Sequence, residues 1–293
     1  MSPGLERTPL RPRRLGRIGA GFARVVLGSR TGGAIALVSL LFTGLYLKFG
    51  LLINDSATVA NTLVAVADGH LHVDEVVVGR FPPTTPGMSI VDGRLYGRNY
   101  GLVFLSLPFY ALYAGLDAVV DLRLALLGAW CLGLAALFLF VDDRAHAGGR
   151  LAIGGAVLSL LVFAANVPGS TDLPRGKLYV LALQSTTMVA TALTAVFVYR
   201  LVASLRDERA GVLAGLTTVL ATPVPFWASF PKRHALMAGI LVVALFVYHR
   251  SIERRASDPT RALLLRATTY GLVGFTAWIH AGETAFLMVA LGA

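Results

Sequence analysis

A polytopic, all-α membrane protein is the fold class this sequence predicts, a helical bundle of about eight transmembrane segments with a long outer first loop carrying an interfacial helix. Three observations predict it. Of 293 residues, 56% are hydrophobic and 14% charged, with a mean hydropathy of +0.70. Soluble domains carry about a quarter charged residues, and a soluble globule this apolar has too little polar surface to cover itself. Apolar runs close to the ~20 residues needed to cross a bilayer recur along the chain. The net charge of +10 comes from 23 Arg and three Lys (Lys48, Lys177, Lys232), and the Arg cluster between apolar runs, as in cytoplasmic loops. This excludes a cytosolic enzyme and a disordered chain. No basic stripe with interleaved aromatics points to nucleic acid. The single Cys131 excludes an intrachain disulfide and a cysteine metal site.

Residues 1–31 form a polar tail with seven Arg, too long for a signal peptide, which places the N-terminus in the cytoplasm of a multi-pass cell-membrane protein. Residues 32–293 form the membrane-embedded module. Its first span covers about Gly32–Ile53. The longest polar interval follows, residues 54–99. Within it, apolar residues at 59, 60, 63, 64 and 67 share one helical face, which predicts a helix lying in the interface and closed by Asp68-Gly69. Phe81 to Gly87 is a Pro-rich turn. Asp92-Gly93 between short apolar stretches is a hairpin signal.

Further runs lie at about 100–120, 122–141, 151–168, 178–203, 210–229, 234–250 and 262–280. Residues 284–293 read as the first half of a ninth span, so the module is expected to continue past Ala293. Simple counting puts the Arg-rich loops 200–209 and 250–266 opposite the basic tail, against the positive-inside rule. The conflict disappears if 100–120, with Pro108 and Gly115, is broken or re-entrant.

Under that topology the unusual polar residues collect on the outer face. Asp55, directly after the first span, reads either as a general base or as a helix N-cap. Arg98, ahead of the 100–120 run, reads as a lipid-phosphate ligand or as an interfacial anchor beside Tyr96 and Tyr100. Asp172 sits with Arg175 and Lys177 in a short loop. Lys232, Arg233 and His234 offer phosphate contacts at the start of a span. Strand alternation puts His70, His72 and Asp74 on one face, a surface strand in preference to a metal site. His280 and Glu283 flank a Gly without a metal-ligand spacing motif. GxSxG, Walker A, CxxC and HExxH are absent from the sequence.

The order of these features resembles the membrane-embedded GT-C glycosyltransferases, most closely the branch of protein mannosyltransferases and aminoarabinose transferases. Asn54-Asp55 opens the long loop. Asp92-Gly93-Arg94-Leu95-Tyr96-Gly97-Arg98-Asn99-Tyr100-Gly101, then Leu107-Pro108-Phe109-Tyr110, is similar to that family's "dG.yyskYppG…lPfy" stretch. Thr222-Pro223 through His234-Ala235-Leu236 is similar to its "tP…s…sHal" stretch, and Gly271-Leu272-Val273-Gly274 to its "GllaGla". The likeness covers about residues 30–290 and is one of pattern and order.

The resemblance implies Asp55 as catalytic base, Arg98 as the ligand of the donor's phosphate, and Asp172 as a second carboxylate. Lys232 and Arg233 would assist Arg98. It implies a polyprenyl-phosphate sugar as donor, a protein, lipid or glycan as acceptor, membrane lipids as surroundings, and no nucleic acid. Asn54 stands where relatives carry a second adjacent acid, and His280-Ala281 where they often carry Arg-Pro. No metal ligands and no cofactor are assigned, and a divalent metal stays open. The alternatives are a polytopic transporter or lipid-handling protein, which internal repeats and mid-membrane charges would favour, or an inactive GT-C-like relative.

Overall fold

The structure, a computed structural model, describes residue 21 and residues 24–47, 54–78, 87–169, 173 and 175–292. It is built from helices α1 (Arg30–Leu45), α2 (Asn54–Ala67), α3 (Tyr100–Asp117), α4 (Leu122–Ala145), α5 (Arg150–Asn166), α6 (Arg175–Leu205), α7 (Glu208–Leu220), α8 (Val224–Ala228), α9 (Arg233–Arg254), α10 (Pro259–Phe275) and α11 (Ala277–Gly292), with one hairpin, β1 (Ser89–Val91) and β2 (Arg94–Tyr96). The 31-residue α6 is the hub, packed against α1, α3, α7 and α9. Leu132 on α4 and Ile153 and Leu160 on α5 are each about 70% exposed. An α4–α5 hairpin coated this way suits a hydrocarbon surrounding.

Two ends of the bundle are chemically distinct. At one, Arg30 pairs with Asp143 at 3.0 Å, Thr31 donates to Glu208 at 3.0 Å, and Arg144 donates to Thr31. Arg200 donates to the Val25 and Val26 carbonyls at 2.7 Å and stacks 4.4 Å over Phe246, one turn before Arg250. The basic loops therefore gather where the N-terminal segment sits. The other end carries α2, the hairpin, α8, and the starts of α4, α6 and α9.

The described residues give fewer candidate spans than the eight expected. Five helices among the described residues are long and apolar enough to cross a membrane: α3, α4, Arg150–Gly169, Lys177–Leu205 and α9. The number is six if the bent pair α10–α11 acts as one. The first run, 32–53, holds a helix only to Leu45 among its described residues. Run 210–229 is split because Pro223, locked in φ and lacking an N–H, starts a new short helix after Leu220. Run 262–280 ends at Phe275, and α11 leaves at 119°, with His280 at φ −158°, ψ 100° breaking the helix again.

Two expectations about the first half change. The 100–120 run is not broken: α3 continues through Pro108. Its placement is nevertheless unusual. Ser106 Oγ meets Thr186 Oγ1 at 2.7 Å and Tyr113 OH meets Ser185 Oγ at 2.6 Å. Residues roughly 10 Å apart along α3 thus touch adjacent residues of α6, so the helices cross steeply. Both ends of α3 lie at the end opposite the basic loops: Tyr100 donates to the Leu71 carbonyl, and Asp117 leads straight to the start of α4.

The second change concerns α2, which does not lie on a surface: Ser56 to Ala65 are all buried. Asn61 is the reason the loop closes over it. Its Nδ2 donates to the Val78 carbonyl at 2.7 Å, and its Oδ1 accepts from Val77 and Val78 N–H at 2.9 and 2.8 Å. The amphipathic pattern remains, but the polar positions face protein partners rather than water.

The hairpin forms where expected. Asp92 (φ 49°) and Gly93 (φ 74°) take adjacent positive φ angles. A type I′ turn requires that pair. Across the turn Ile90 pairs with Leu95. The expected strand over His70–Asp74 reduces to one bridge, His72 to Tyr96, with Val73 N–H donating to the Leu95 carbonyl at 2.7 Å.

Candidate phosphate-binding site at the end of the bundle

The three cations expected to share the donor's phosphate lie together in space. Arg98, Lys232 and Arg233 line one small cleft with Asn99, His234 and Val59. Each is positioned by a local rule. Arg98 follows the hairpin and precedes α3, in a segment held by close backbone approaches. A Cβ on Gly97 would lie 1.6 Å from Thr62 Oγ1, so only glycine lets this strand settle on α2. Gly87, at φ +92°, lies under the Arg98 guanidinium, where a Cβ would be 2.5 Å from Cζ. Asn99 then takes the left-handed conformation (φ 59°, ψ 41°) and turns the chain into α3. Asn tolerates that conformation better than most residues. Backbone held in this way is characteristic of sites where a side chain must be aimed.

Lys232 and Arg233 arrive from the opposite direction. Phe226, Trp227 and Phe230 pack on one another around α8, and Gln184 and Thr187 of α6 donate to the Ser229 and Ala228 carbonyls at 2.9 and 2.6 Å. That anchor delivers the start of α9 to the cleft. Lys232 stands at the N-cap of α9 in an extended conformation. A lysine has no acceptor to offer the free N–H groups of the first turn. The partial positive charge of the helix N-terminus is therefore added to that of the side chains. His234 is held 5.0 Å from Trp227, edge to face.

A single described carboxylate enters this field from α11. Glu283 Oε1 accepts from Arg233 Nε at 3.1 Å and lies 3.6 Å from His280 Nδ1. The break at His280 makes this possible, because it swings α11 back toward α9. Thr276 Oγ1 and Thr284 Oγ1, 2.8 Å apart, pin the bend. The free volume of the cleft is about 30 Å³, room for about two waters, so a phosphate enters only if the lining side chains move apart.

Asp55 belongs to the first turn of α2, one turn before Val59, which lines the cleft; its side chain lies outside the described residues. Asp172 also lies outside the described residues. His70 Nδ1 and His72 Nε2 pair with Asp74 at 3.3 and 3.1 Å, and no cluster able to hold a metal occurs among the described residues. Sequence reading did not place Asn99 or Glu283 at the phosphate cleft. The signal for Asn99 was its position between Arg98 and a helix start. Glu283 had none, because its partner depends on the bend.

The chain matches no protein-family model, no curated protein and no solved structure. The GT-C likeness therefore rests on residue pattern.

Proposed function

We propose that this protein is a membrane glycosyltransferase that moves a sugar from a polyprenyl-phosphate donor to an acceptor hydroxyl at the site end of the bundle, with inversion. The observation that carries this reading is the convergence of Arg98, Lys232 and Arg233 on the start of α9. Three cations and a helix N-terminus in one cleft suit a phosphate that stays at the membrane surface while its lipid stays in the bilayer. In this reading the basic end faces the cytoplasm of the cell membrane, as its Arg-rich loops favour, and the site faces outward.

The chemistry needs one base and one stabilised leaving group. The Asp55 carboxylate takes the proton of the acceptor hydroxyl as its oxygen attacks the anomeric carbon. The bond between that carbon and the phosphate oxygen breaks, and its electron pair leaves with the lipid phosphate. Arg98, Lys232 and Arg233 meet the charge that develops there. Asp172 is the second carboxylate of this reading.

Sugar transfer in membranes from a panel of polyprenyl-phosphate hexoses and pentoses tests it. Asp55→Asn is expected to lose about 10²- to 10⁴-fold in rate, and Arg98→Ala about 10²- to 10³-fold. Full transfer by both variants would sink the assignment.

A further inference from the structure

Away from the phosphate cleft, a groove of about 610 Å³ opens between α1, α4, α5 and α6. Leu37, Leu41, Leu127, Val162 and Leu181 make it apolar, and Gly133 lines its inner end, where α4 packs closely on Leu37 and Leu41 of α1. Leu45 lines it while two-thirds exposed, so the groove opens sideways, toward lipid. Along α4 it runs from Arg123 to Gly133, ten residues or roughly 15 Å. That is half of the ~30 Å hydrocarbon core, the depth of one leaflet.

Its outer mouth is built of polar groups. Arg123 lines the groove and also a second pocket of about 490 Å³, which it shares with Asp117, Asp121 and Leu173. Arg123 Nη1 donates to the Gly169 carbonyl, which holds the guanidinium at the mouth. Asp121 caps α4, accepting from Leu124 N–H at 3.0 Å through one oxygen. Among the described residues the mouth therefore offers one cation and two carboxylates.

We infer that this groove and mouth form a binding site for a phospholipid with a primary-amine headgroup, of the phosphoethanolamine class, one acyl chain lying in the groove. Arg123 meets the phosphate. Asp117 and Asp121 accept from the ammonium, whose three N–H donors suit two carboxylates. A lipid with only a phosphate charge meets two acids for one base among the described residues. A quaternary ammonium headgroup brings no N–H to donate. The mouth thus differs in sign from the Arg98 cleft, where three cations face one carboxylate, and the proposal does not depend on glycosyl transfer.

The test uses the full chain purified in detergent, stripped of lipid, and offered phosphatidylethanolamine, phosphatidylglycerol or phosphatidylcholine, with bound lipid read by native mass spectrometry. The wild-type protein is expected to retain phosphatidylethanolamine about three- to tenfold better than the others, the range for exposed ion pairs acting together. Asp117→Asn with Asp121→Asn is expected to erase that preference while lipid still binds; Asn keeps the helix cap. Gly133→Phe, which presses a ring on the groove-lining Leu37 and Leu41, is expected to lower retention of all three. Equal retention of the three lipids by the wild type, or a preference that survives the double substitution, overturns the proposal. Both carboxylates are at the exposed rim, so the double variant serves even if Gly133→Phe does not fold. Sugar transfer is not the readout, so an inactive chain that still selects the amine lipid would count against the glycosyltransferase reading and for this one.

Discussion

Replacing Gly97 by alanine puts the positioning of Arg98 to a quantitative test. The added Cβ would stand 1.6 Å from Thr62 Oγ1, 2.8 Å from Thr62 Cβ and 3.1 Å from Cγ2. Thr62 has nowhere to retreat: it is fully buried on α2, and its hydroxyl donates to the Thr58 carbonyl at 2.7 Å. Forcing a methyl into such packing costs about 1–3 kcal/mol, and loss of the hydroxyl's hydrogen bond adds about 1 kcal/mol. The expected total is about 2–4 kcal/mol. At about 2–4 °C per kcal/mol for chains of this size, thermal unfolding in detergent should shift down by roughly 4–16 °C.

Thr62→Ala removes the 1.6 Å and 3.1 Å contacts and leaves only the 2.8 Å one. The double variant Gly97→Ala/Thr62→Ala should therefore be more stable than Gly97→Ala alone, a favourable coupling of about 1 kcal/mol or more. If the two losses simply add, the strand ahead of Arg98 does not rest on Thr62, and the account of how the guanidinium is aimed fails.

Two further outcomes follow from the same geometry. Asn61→Ala strips partners from the Val77 and Val78 N–H groups and the Val78 carbonyl; with about 1–3 kcal/mol per buried group left unsatisfied, it should cost about 3–5 kcal/mol and expose the loop over α2 to limited proteolysis, and a wild-type digestion rate would contradict this. Glu283→Gln removes the carboxylate that competes for Arg233; because that pair is partly exposed its worth is small, and binding of a polyprenyl phosphate at low salt should tighten about two- to fivefold, whereas weaker binding would make Glu283 a holder of the site.

How much of this was readable in the chain differs by element. The hairpin at Asp92-Gly93 was fully legible, because a type I′ turn is a demand on two adjacent residues. The apolar helices were legible as runs, and their breaks at Pro223 and Thr276 were not, since length and composition alone do not say where neighbours reward an interruption. The helix over 57–67 was recognised from its period, but its burial was missed. The same amphipathic face suits a membrane surface or a polar loop folded over it, and the choice was made by Asn61 reaching Val77 and Val78.

By itself the sequence carried the apolar excess that suits a membrane, because that excess is a sum over composition and needs no tertiary information. It also determined the basic loops, the hairpin turn and the individual cations. Only the tertiary structure decided that Arg98 shares a cleft with Lys232 and Arg233, that Glu283 answers Arg233 across a bent helix, and that α3 crosses α6 steeply with both ends on one side. Local patterns act over one turn or one strand pair, whereas these contacts join distant stretches of chain, which meet only after the packing of α6 against its neighbours has set where each stretch ends.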